Sequence, residues 1–355
     1  MNIIQVLQKT VDMKASDLHI TVALPPMMRI NGELKPYGDT SLTPEDTADI
    51  VRQVLNESQM STLETVGEID LSYVIPSISR FRVNVYKQRG SYSIAFRVIW
   101  IRIPTIDELG FPEVLKELAL KPRGLFLVTG PTGSGKSTTL AAMVNHINNN
   151  RNCHVLTLEE PIEYLHRHNR SMINQREIGG DSLTFASGLR AALREDPDVI
   201  LVGEMRDLET IATAITAAET GHFVMSTLHT TGAAQTIDRI IDVFPPYQQE
   251  QIRVQLAGVL EGVVSQQLLP TADGRGRVAA LEIMVANNAI SNLVREGKTH
   301  QIQTIIQTGS KQGMKTMDFS LSDLVKRGKI TREVANNHCV DPEMLRRHLM
   351  QAGSL

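Results

Sequence analysis

Residues 130–137, Gly-Pro-Thr-Gly-Ser-Gly-Lys-Ser, have the spacing G-x-x-x-x-G-K-[ST]. Glycines in such a turn let backbone N–H groups point inward and bind an anion. The Lys136 ammonium suits the β- and γ-phosphates of a nucleotide, and the Ser137 hydroxyl suits a magnesium ion. An apolar run, LFLVT, precedes the turn and a helical pattern opens near Lys136, so the positive end of a helix faces the same point.

This context predicts ATP and Mg²⁺ as ligands, whereas a glycine-rich turn that binds nothing is the alternative. The predicted nucleotide-binding residues are Gly130, Pro131, Thr132, Gly133, Ser134, Gly135, Lys136, Ser137 and Thr138, with Ser137 also the metal ligand.

Two acidic segments follow apolar runs farther along the chain. TLEEPIE contains Glu159, Glu160 and Glu163, and VILVGE ends in Glu204. The carboxyl ends of parallel strands meet at the ligand crevice of an open α/β sheet, so these acids could reach the phosphates. We predict that Glu204 positions the attacking water and that Glu163 assists through the metal or a second water. A solvated surface charge is the alternative for any one glutamate.

Histidines flank a third apolar run, FVMSTL, with His222 before it and His229 after it. A histidine at a strand end can donate a hydrogen bond to the γ-phosphate and respond to its loss. We predict this sensing role for His229 and keep His222 as a second candidate. A purely structural hydrogen bond is the alternative for both.

The elements that position these residues fall into four predicted segments. They are residues 1–100 as an N-terminal α/β domain, 101–118 as a linker, 119–288 as an ATPase core, and 289–355 as a helical segment. In the N-terminal segment, Thr43 reads as a helix N-cap followed by Pro44. Polar and apolar residues then alternate along two predicted strands, which puts Arg82 and Arg97 on polar faces.

In the core, strand-like runs such as LFLVT, HVLTL, VILV and FVMSTL alternate with helical patterns. That alternation predicts an α/β fold with a central, largely parallel sheet. The C-terminal segment is polar and helical, with predicted stops at Gly297 and Gly328.

Composition excludes several classes of protein. The chain has 355 residues, 42% of them hydrophobic, and a formal net charge of -3, which gives no reason to expect nucleic acid as a partner. Two cysteines form no C-x-x-C pair, so we expect neither a disulfide framework nor zinc. No signal peptide or membrane span is visible, which predicts a cytoplasmic protein.

Four stretches together resemble the Walker A, Asp, Walker B and His boxes of the secretion and type IV pilus ATPases. They are the turn at 130–137, TLEEPIE, LREDPDVILVGEMRDLETIATAITAAETGH and STLHTTGAAQTIDRIIDVFP. Nearly the whole chain is similar to the retraction ATPases of that superfamily, which drive twitching motility. The segment AISNLVRE, residues 289–296, resembles the AIRNLIRE motif associated with retraction.

The sequence departs from these motifs at three positions. Glu160 stands where the Asp box usually has aspartate, and Ser291 and Val294 replace arginine and isoleucine. On the helical face of AISNLVRE we expect Ala289, Ile290, Leu293 and Val294 to pack, which leaves Arg295 for contacts outside its own core.

The resemblance implies a homohexameric ring in which nucleotide lies between a PAS-like N-terminal domain and a RecA-like C-terminal domain. Arg82 and Arg97 would supply positive charge to the γ-phosphate, with Arg194 and Arg239 as further candidates and a solvated sheet face as the alternative. The implied function is ATP hydrolysis that powers pilus retraction at the inner membrane, with the platform protein of the pilus machine as partner.

Three other functions stay open at this stage. One is a pilus extension or secretion ATPase of the same superfamily, although the extra N-terminal sequence and tetracysteine zinc site common there are not present. Another is a RecA-like nucleic-acid motor, which would require a concentrated basic patch. The third is a ring that binds ATP without hydrolysing it, against which Glu163 and Glu204 argue.

Overall fold

The structure is a computed structural model, and it describes residues 1–30, 32–75, 78–99 and 102–350. The chain divides into two compact units. One comprises Met1–Arg102 together with Glu163–Leu165, and the other comprises Ile103–Ile162 and the chain from His166 onward. Each unit has its own sheet and its own hydrophobic core.

The first unit is a six-stranded antiparallel sheet with three helices, in the order β3-β2-β1-β6-β5-β4. Its helices are α1 Ile3–Asp12, α2 Pro44–Val54 and α3 Glu57–Val66. Its strands are β1 Asp17–Ile20, β2 Met27–Ile30, β3 Glu33–Pro36, β4 Glu68–Ile75, β5 Ser79–Gln88 and β6 Ser91–Ile99.

The predicted local signals of this unit are confirmed. Thr43 caps α2 in a capping box with Asp46, because its hydroxyl accepts the Asp46 N–H while the Asp46 carboxylate accepts the Thr43 N–H. Alternation along β5 and β6 buries one face in the core and leaves Arg82 and Arg97 exposed on the other.

The second unit contains a seven-stranded sheet in the order β13-β12-β7-β11-β10-β8-β9. Neighbouring strands are parallel except for β13, which runs antiparallel to β12. The strands are β7 Gly124–Thr129, β8 His154–Glu159, β9 Met172–Glu177, β10 Val199–Val202, β11 Phe223–Leu228, β12 Leu260–Pro270 and β13 Arg277–Val285. The four predicted core strands are therefore confirmed. β12 and β13 are two further strands beside β7, and the sequence pattern did not predict them.

Helices cover both faces of this sheet. They are α4 Val114–Ala119, α5 Lys136–Asn150, α6 Phe185–Ala192, α7 Leu208–Glu219, α8 Ala233–Asp242, α9 Pro246–Val259, α10 Asn288–Arg295, α11 Ile302–Thr308, α12 Met317–Lys326, α13 Arg332–His338 and α14 Pro342–Met350. Along β7, Leu125 and Leu127 face the core beneath α6–α9, whereas Phe126 and Val128 face the core beneath α4 and α5. A strand buried on both faces explains why its sequence is continuously apolar.

The segment predicted as a linker, 101–118, is described from residue 102. From Ile103 onward it belongs to the second unit, and Ile106, Phe111, Leu115 and Leu118 are buried in that unit's core. These apolar side chains pack the segment against the sheet of the second unit, so its described part from Ile103 onward is part of that unit and not a flexible linker.

The C-terminal segment is helical, and the predicted stops are confirmed, since Gly297 and Gly328 have φ of 67° and 66° directly after α10 and α12. In α10, Ile290 and Val294 are buried and Leu293 is half-buried, but Ala289 is exposed. The expectation that Ala289 packs was wrong, because the buried stripe follows the 290–294 line of the helix and Ala289 lies on its flank. Among the described residues, no helix combines the length and apolarity needed to cross a membrane.

Candidate nucleotide-binding site

The turn at 130–137 connects the buried strand β7 to the first turn of α5. Gly133 and Gly135 have positive φ of 79° and 89°, which only glycine adopts without strain. A Cβ on Gly130 would collide with the backbone carbonyl oxygen of Gln266, and one on Gly135 would lie 2.9 Å from the Gln266 side-chain nitrogen. Contacts as well as backbone conformation therefore require glycine at Gly130, whereas at Gly135 the positive φ is the reason.

Lys136 is 8% exposed, and its ammonium folds back over the turn. It donates hydrogen bonds to the carbonyl oxygens of Gly130 (2.8 Å) and Pro131 (3.1 Å). Ser137 and Thr138 follow in the first turn of α5 and are half-buried. Gly135 gives α5 no side-chain cap, so the positive end of this helix is not neutralised by a capping side chain.

Gln266, on the neighbouring strand β12, holds the turn in place and was not predicted. Its side-chain amide donates to the Ser134 carbonyl oxygen (2.6 Å), and its side-chain oxygen accepts from the Thr139 hydroxyl (2.7 Å). Gln266 is 2% exposed. A polar stretch, Ser265–Gln267, between the apolar residues of β12 was the signal that the sequence offered for this role.

Glu204 lies two residues beyond the carboxyl end of β10, where its side chain is 16% exposed. One carboxylate oxygen is 2.8 Å from Nε of Arg206, and the other is 3.6 Å from Nε2 of His229. Glu204, His229 and Arg239 line a cavity of about 340 Å³. Three predicted residues from separate segments therefore meet at one site.

The strand order explains this meeting. β11 lies between β7 and β10, and all three strands run parallel. The carboxyl end of β7 leads into the glycine-rich turn, that of β11 into His229, and that of β10 into Glu204. Leu228, the last residue of β11, pairs with Thr129, the last residue of β7. The glycine-rich turn and the Glu204–His229 pair consequently lie along the same edge of the sheet.

His222 and Arg194 lie at the other edge. His222 precedes β11, roughly 20 Å along the strand from His229. A ring nitrogen of His222 is 2.9 Å from the Ala217 carbonyl oxygen, near the end of α7. Arg194 is exposed, follows α6 and precedes β10. Since amino ends of parallel strands face away from the crevice, neither residue joins the Glu204–His229 pair within this unit.

The acids after β8 have different surroundings. Glu159 accepts hydrogen bonds from the Thr157 hydroxyl (2.7 Å) and the Gln175 amide (3.1 Å). Glu160 and Glu163 are exposed, and Glu163 groups with the first unit. Two of the three acids are thus at the surface, whereas Glu159 helps to join β8 and β9.

Arg82 and Arg97 lie directly opposite each other on β5 and β6 of the first unit. Nε of Arg97 is 2.9 Å from a carboxylate oxygen of Asp17, and Nε of Arg82 is 3.9 Å from one of Asp70. Burial raises the pKa of Asp17, but hydrogen bonds from Ser16 and Arg97 outweigh it and hold that pKa below its ordinary value. Both arginines are largely exposed and form a cationic pair on the polar face of this sheet.

Residues 2–337 match the family model of the type II/IV secretion system proteins. The chain is 48% identical over 343 residues to the type IV pilus retraction ATPase PilT of Pseudomonas aeruginosa, covering 97% of this chain and 99% of that protein. It is 48% identical over 320 residues to a twitching motility protein of Neisseria gonorrhoeae, covering 90% of this chain and 86% of that protein.

A crystal structure of the pilus retraction motor PilT with bound ADP has 47% identity and a TM-score of 0.92, covering 98% of this chain and 99% of that one. The resemblance stated from the motifs and the α/β ATPase fold are confirmed. The chain belongs to the type II/IV secretion system protein family.

Proposed function

We propose that this protein is an ATP-hydrolysing motor that powers retraction of a type IV pilus. The observation that supports it most strongly is the shared sheet edge, where a phosphate-binding turn lies beside a carboxylate–histidine pair. The relatives named for pilus retraction and twitching motility match nearly the whole chain. The proposal of retraction therefore rests on similarity along the whole chain and not on the glycine-rich turn alone.

The residues at the turn fit a nucleotide with its metal. The hydroxyl oxygens of Thr129 and Ser134 are buried without a hydrogen-bond partner in the described structure, and α5 has no side-chain cap. Lys136 would exchange the carbonyl oxygens of Gly130 and Pro131 for phosphate oxygens. Ser137 would ligate Mg²⁺, which commonly takes only one or two protein ligands together with phosphate oxygens and water. The metal would supply charge stabilisation for the γ-phosphate.

Glu204 would orient and polarise the attacking water. Its ion pair with Arg206 leaves the carboxylate available, because the Arg206 side chain is 70% exposed and a pair screened by water contributes at most about 1 kcal/mol. His229, 3.6 Å from the other carboxylate oxygen, would sense the γ-phosphate from the neighbouring strand. Arg239, on the wall of the same cavity, is a further cation for the developing charge.

The rest of the proposal concerns assembly. Arg82 and Arg97 would contribute positive charge from the N-terminal domain, and Glu163 would assist through the metal or a second water. Nucleotide binding would draw the two domains together and hydrolysis would release them. A homohexameric ring of such chains, on the cytoplasmic face of the inner membrane and docked on the platform protein, would turn these steps into mechanical work.

The enzymatic part is tested by phosphate release from the purified protein. Lys136→Ala should reduce turnover to near background with the fold intact. Lys116→Ala is a matched control, because Lys116 is held by Asp107 and Glu113 on the same unit, away from the turn. Normal turnover in a folded Lys136→Ala protein would contradict the site.

The cellular part is tested by deletion of the gene in its host. Surface pili are counted and twitching is measured. Excess pili without motility would support retraction, whereas a loss of pili would support extension.

A further inference from the structure

Glu282 is a buried acid that the proposed reaction does not use. It lies in the middle of β13 and is 3% exposed. One carboxylate oxygen accepts the backbone N–H of Ala233 (2.9 Å), and the other is 3.4 Å from the side-chain nitrogen of Gln303. The backbone N–H of Met317 also faces this carboxylate and lowers its pKa.

On one side, this carboxylate supports the loop that carries His229. Helix α8 begins at Ala233, and its N-cap, Gly232, has no side chain to satisfy the first N–H groups. Glu282 accepts the N–H of Ala233, and the hydroxyl of Ser265 on β12 accepts that of Gly232 (2.8 Å). The loop between His229 and α8 is therefore held by two neighbouring strands and not by a cap of its own.

On the other side, the same carboxylate contacts the C-terminal helices. Gln303 belongs to α11, and Met317 is the first residue of α12. A negative charge at the amino end of a helix is favourable, and Glu282 occupies that position for α8 and α12 at once. One side chain thus connects three helices from two distant parts of the chain.

This arrangement is costly for folding alone. Burial raises the pKa of Glu282 above its ordinary value, the nearby Asp318 adds to the effect, and the N–H groups of Ala233, Gln303 and Met317 offset only part of it. Asp318 is itself buried and accepts the N–H groups of Val340 and Asp341. The carboxylate nevertheless joins the start of α8 to α11 through its contacts with Ala233 and Gln303.

We propose that Glu282 is a positioning residue that couples the His229 loop to helices α11 and α12. This inference rests on the proposed function, in which His229 senses the γ-phosphate. A shift of the loop on phosphate loss would move Ala233, and the shared carboxylate would transmit that movement to Gln303 and to the start of α12.

Kinetics provide the first test, with Glu282→Gln, Glu282→Ala and the control Glu261→Gln. Glu261 is a glutamate on the neighbouring strand β12, paired at 2.9 Å with Lys121 away from the turn. Both Glu282 variants should lower kcat by a factor of about 2–30 with the KM for ATP nearly unchanged, the size expected of a coupling residue. Since the glutamine retains the shape and one acceptor, it should recover part of what alanine loses. Unchanged kcat in folded Glu282→Ala would overturn the inference.

Hydrogen exchange with Mg²⁺ and a non-hydrolysable ATP analogue separates coupling from mere stability. In the wild type, the analogue should slow exchange in segments 130–140, 229–240 and 302–319. In Glu282→Ala, protection of 130–140 should remain while that of 302–319 is lost. Protection of 302–319 in that variant, or its absence in the wild type, would refute the coupling. No protection of 130–140 in the wild type would refute the proposed function itself, and the coupling with it.

Discussion

Gln266→Ala should weaken ATP binding, although the side-chain hydrogen bonds of Gln266 go to Ser134 and Thr139 and not to Lys136 or Ser137. The substitution removes the donor to the Ser134 carbonyl oxygen and the acceptor for the Thr139 hydroxyl. Thr139 retains a second acceptor, the Gly135 carbonyl oxygen at 3.2 Å. The main loss is therefore the Ser134 carbonyl, which is left buried without its partner.

The magnitude follows from these contacts. A buried polar group left unsatisfied costs about 1–3 kcal/mol, and the loss of a buried methylene adds about 0.8 kcal/mol. The free energy of unfolding should fall by about 2–4 kcal/mol on this basis. If about 1–2 kcal/mol of that loss is the cost of restoring the turn to its binding conformation, the KM for ATP rises about 5- to 30-fold. Turnover at saturating ATP should change less, because Glu204 and His229 are on other strands.

The assay is steady-state ATP hydrolysis over a wide range of ATP concentrations, with thermal unfolding measured on the same samples. Gln267→Ala is the matched control, since Gln267 is the next residue on β12, faces the other side of the sheet and bonds with His338. The control should keep the wild-type KM. A KM within twofold of wild type in folded Gln266→Ala would refute the view that this residue organises the turn.

Four further predictions follow from the site. Glu204→Gln should still bind ATP while hydrolysis falls by about 10²-fold or more, measured by nucleotide titration beside phosphate release; an equal loss of binding would make Glu204 structural. His229→Ala should slow turnover by about 10- to 100-fold, whereas His222→Ala at the opposite sheet edge should change mainly thermal stability; the reverse order in the same assay would contradict the assignment. The folded-state pKa of Glu282 is raised, so its contribution to stability is present below the unfolded pKa and lost as pH rises through the folded pKa; Glu282→Gln should remove that decline from the unfolding profile above the ordinary pKa of glutamate, and an unaltered profile would show that Glu282 does not cause it. Arg295→Ala, an exposed change on α10, should leave stability and ATP turnover nearly intact while it abolishes retraction in cells; unchanged motility at normal protein level would make α10 an ordinary closing helix.

Local signals made much of this molecule predictable. The glycine-rich turn, its strand and its helix are contiguous in the chain, so their order and the place of the turn between them follow from residues 124–140. Glu204 and His229 could be placed because each ends a strand of a parallel sheet, and such ends share one edge. The same rule places His222 at the opposite edge, because it precedes its strand.

Contacts between residues far apart in the chain could not be predicted from the sequence. Gln266 reaches Ser134 across 132 residues of chain, and Glu282 reaches Ala233 across 49. Those contacts depend on β12 pairing with β7, a parallel pairing between strands far apart in the chain that has no local signature. The arginines of the first unit were equally hard to interpret. The alternation of residue types identifies the polar face that carries Arg82 and Arg97, but it does not predict which residues or ligands contact that face.

Polar residues inside strands of this sheet nevertheless carried usable information. A strand covered by helices on both faces should be apolar throughout, so each polar side chain there needs a partner. Ser226 and Thr227 on β11 donate to the carbonyl oxygens of Val202 and Gly203, which holds the β10 end that presents Glu204. Ser265 and Gln266 on β12 hold the α8 loop and the phosphate-binding turn in the same way. Ser226, Thr227, Ser265 and Gln266 therefore mark places in this sheet where one predicted site segment is fixed to the next.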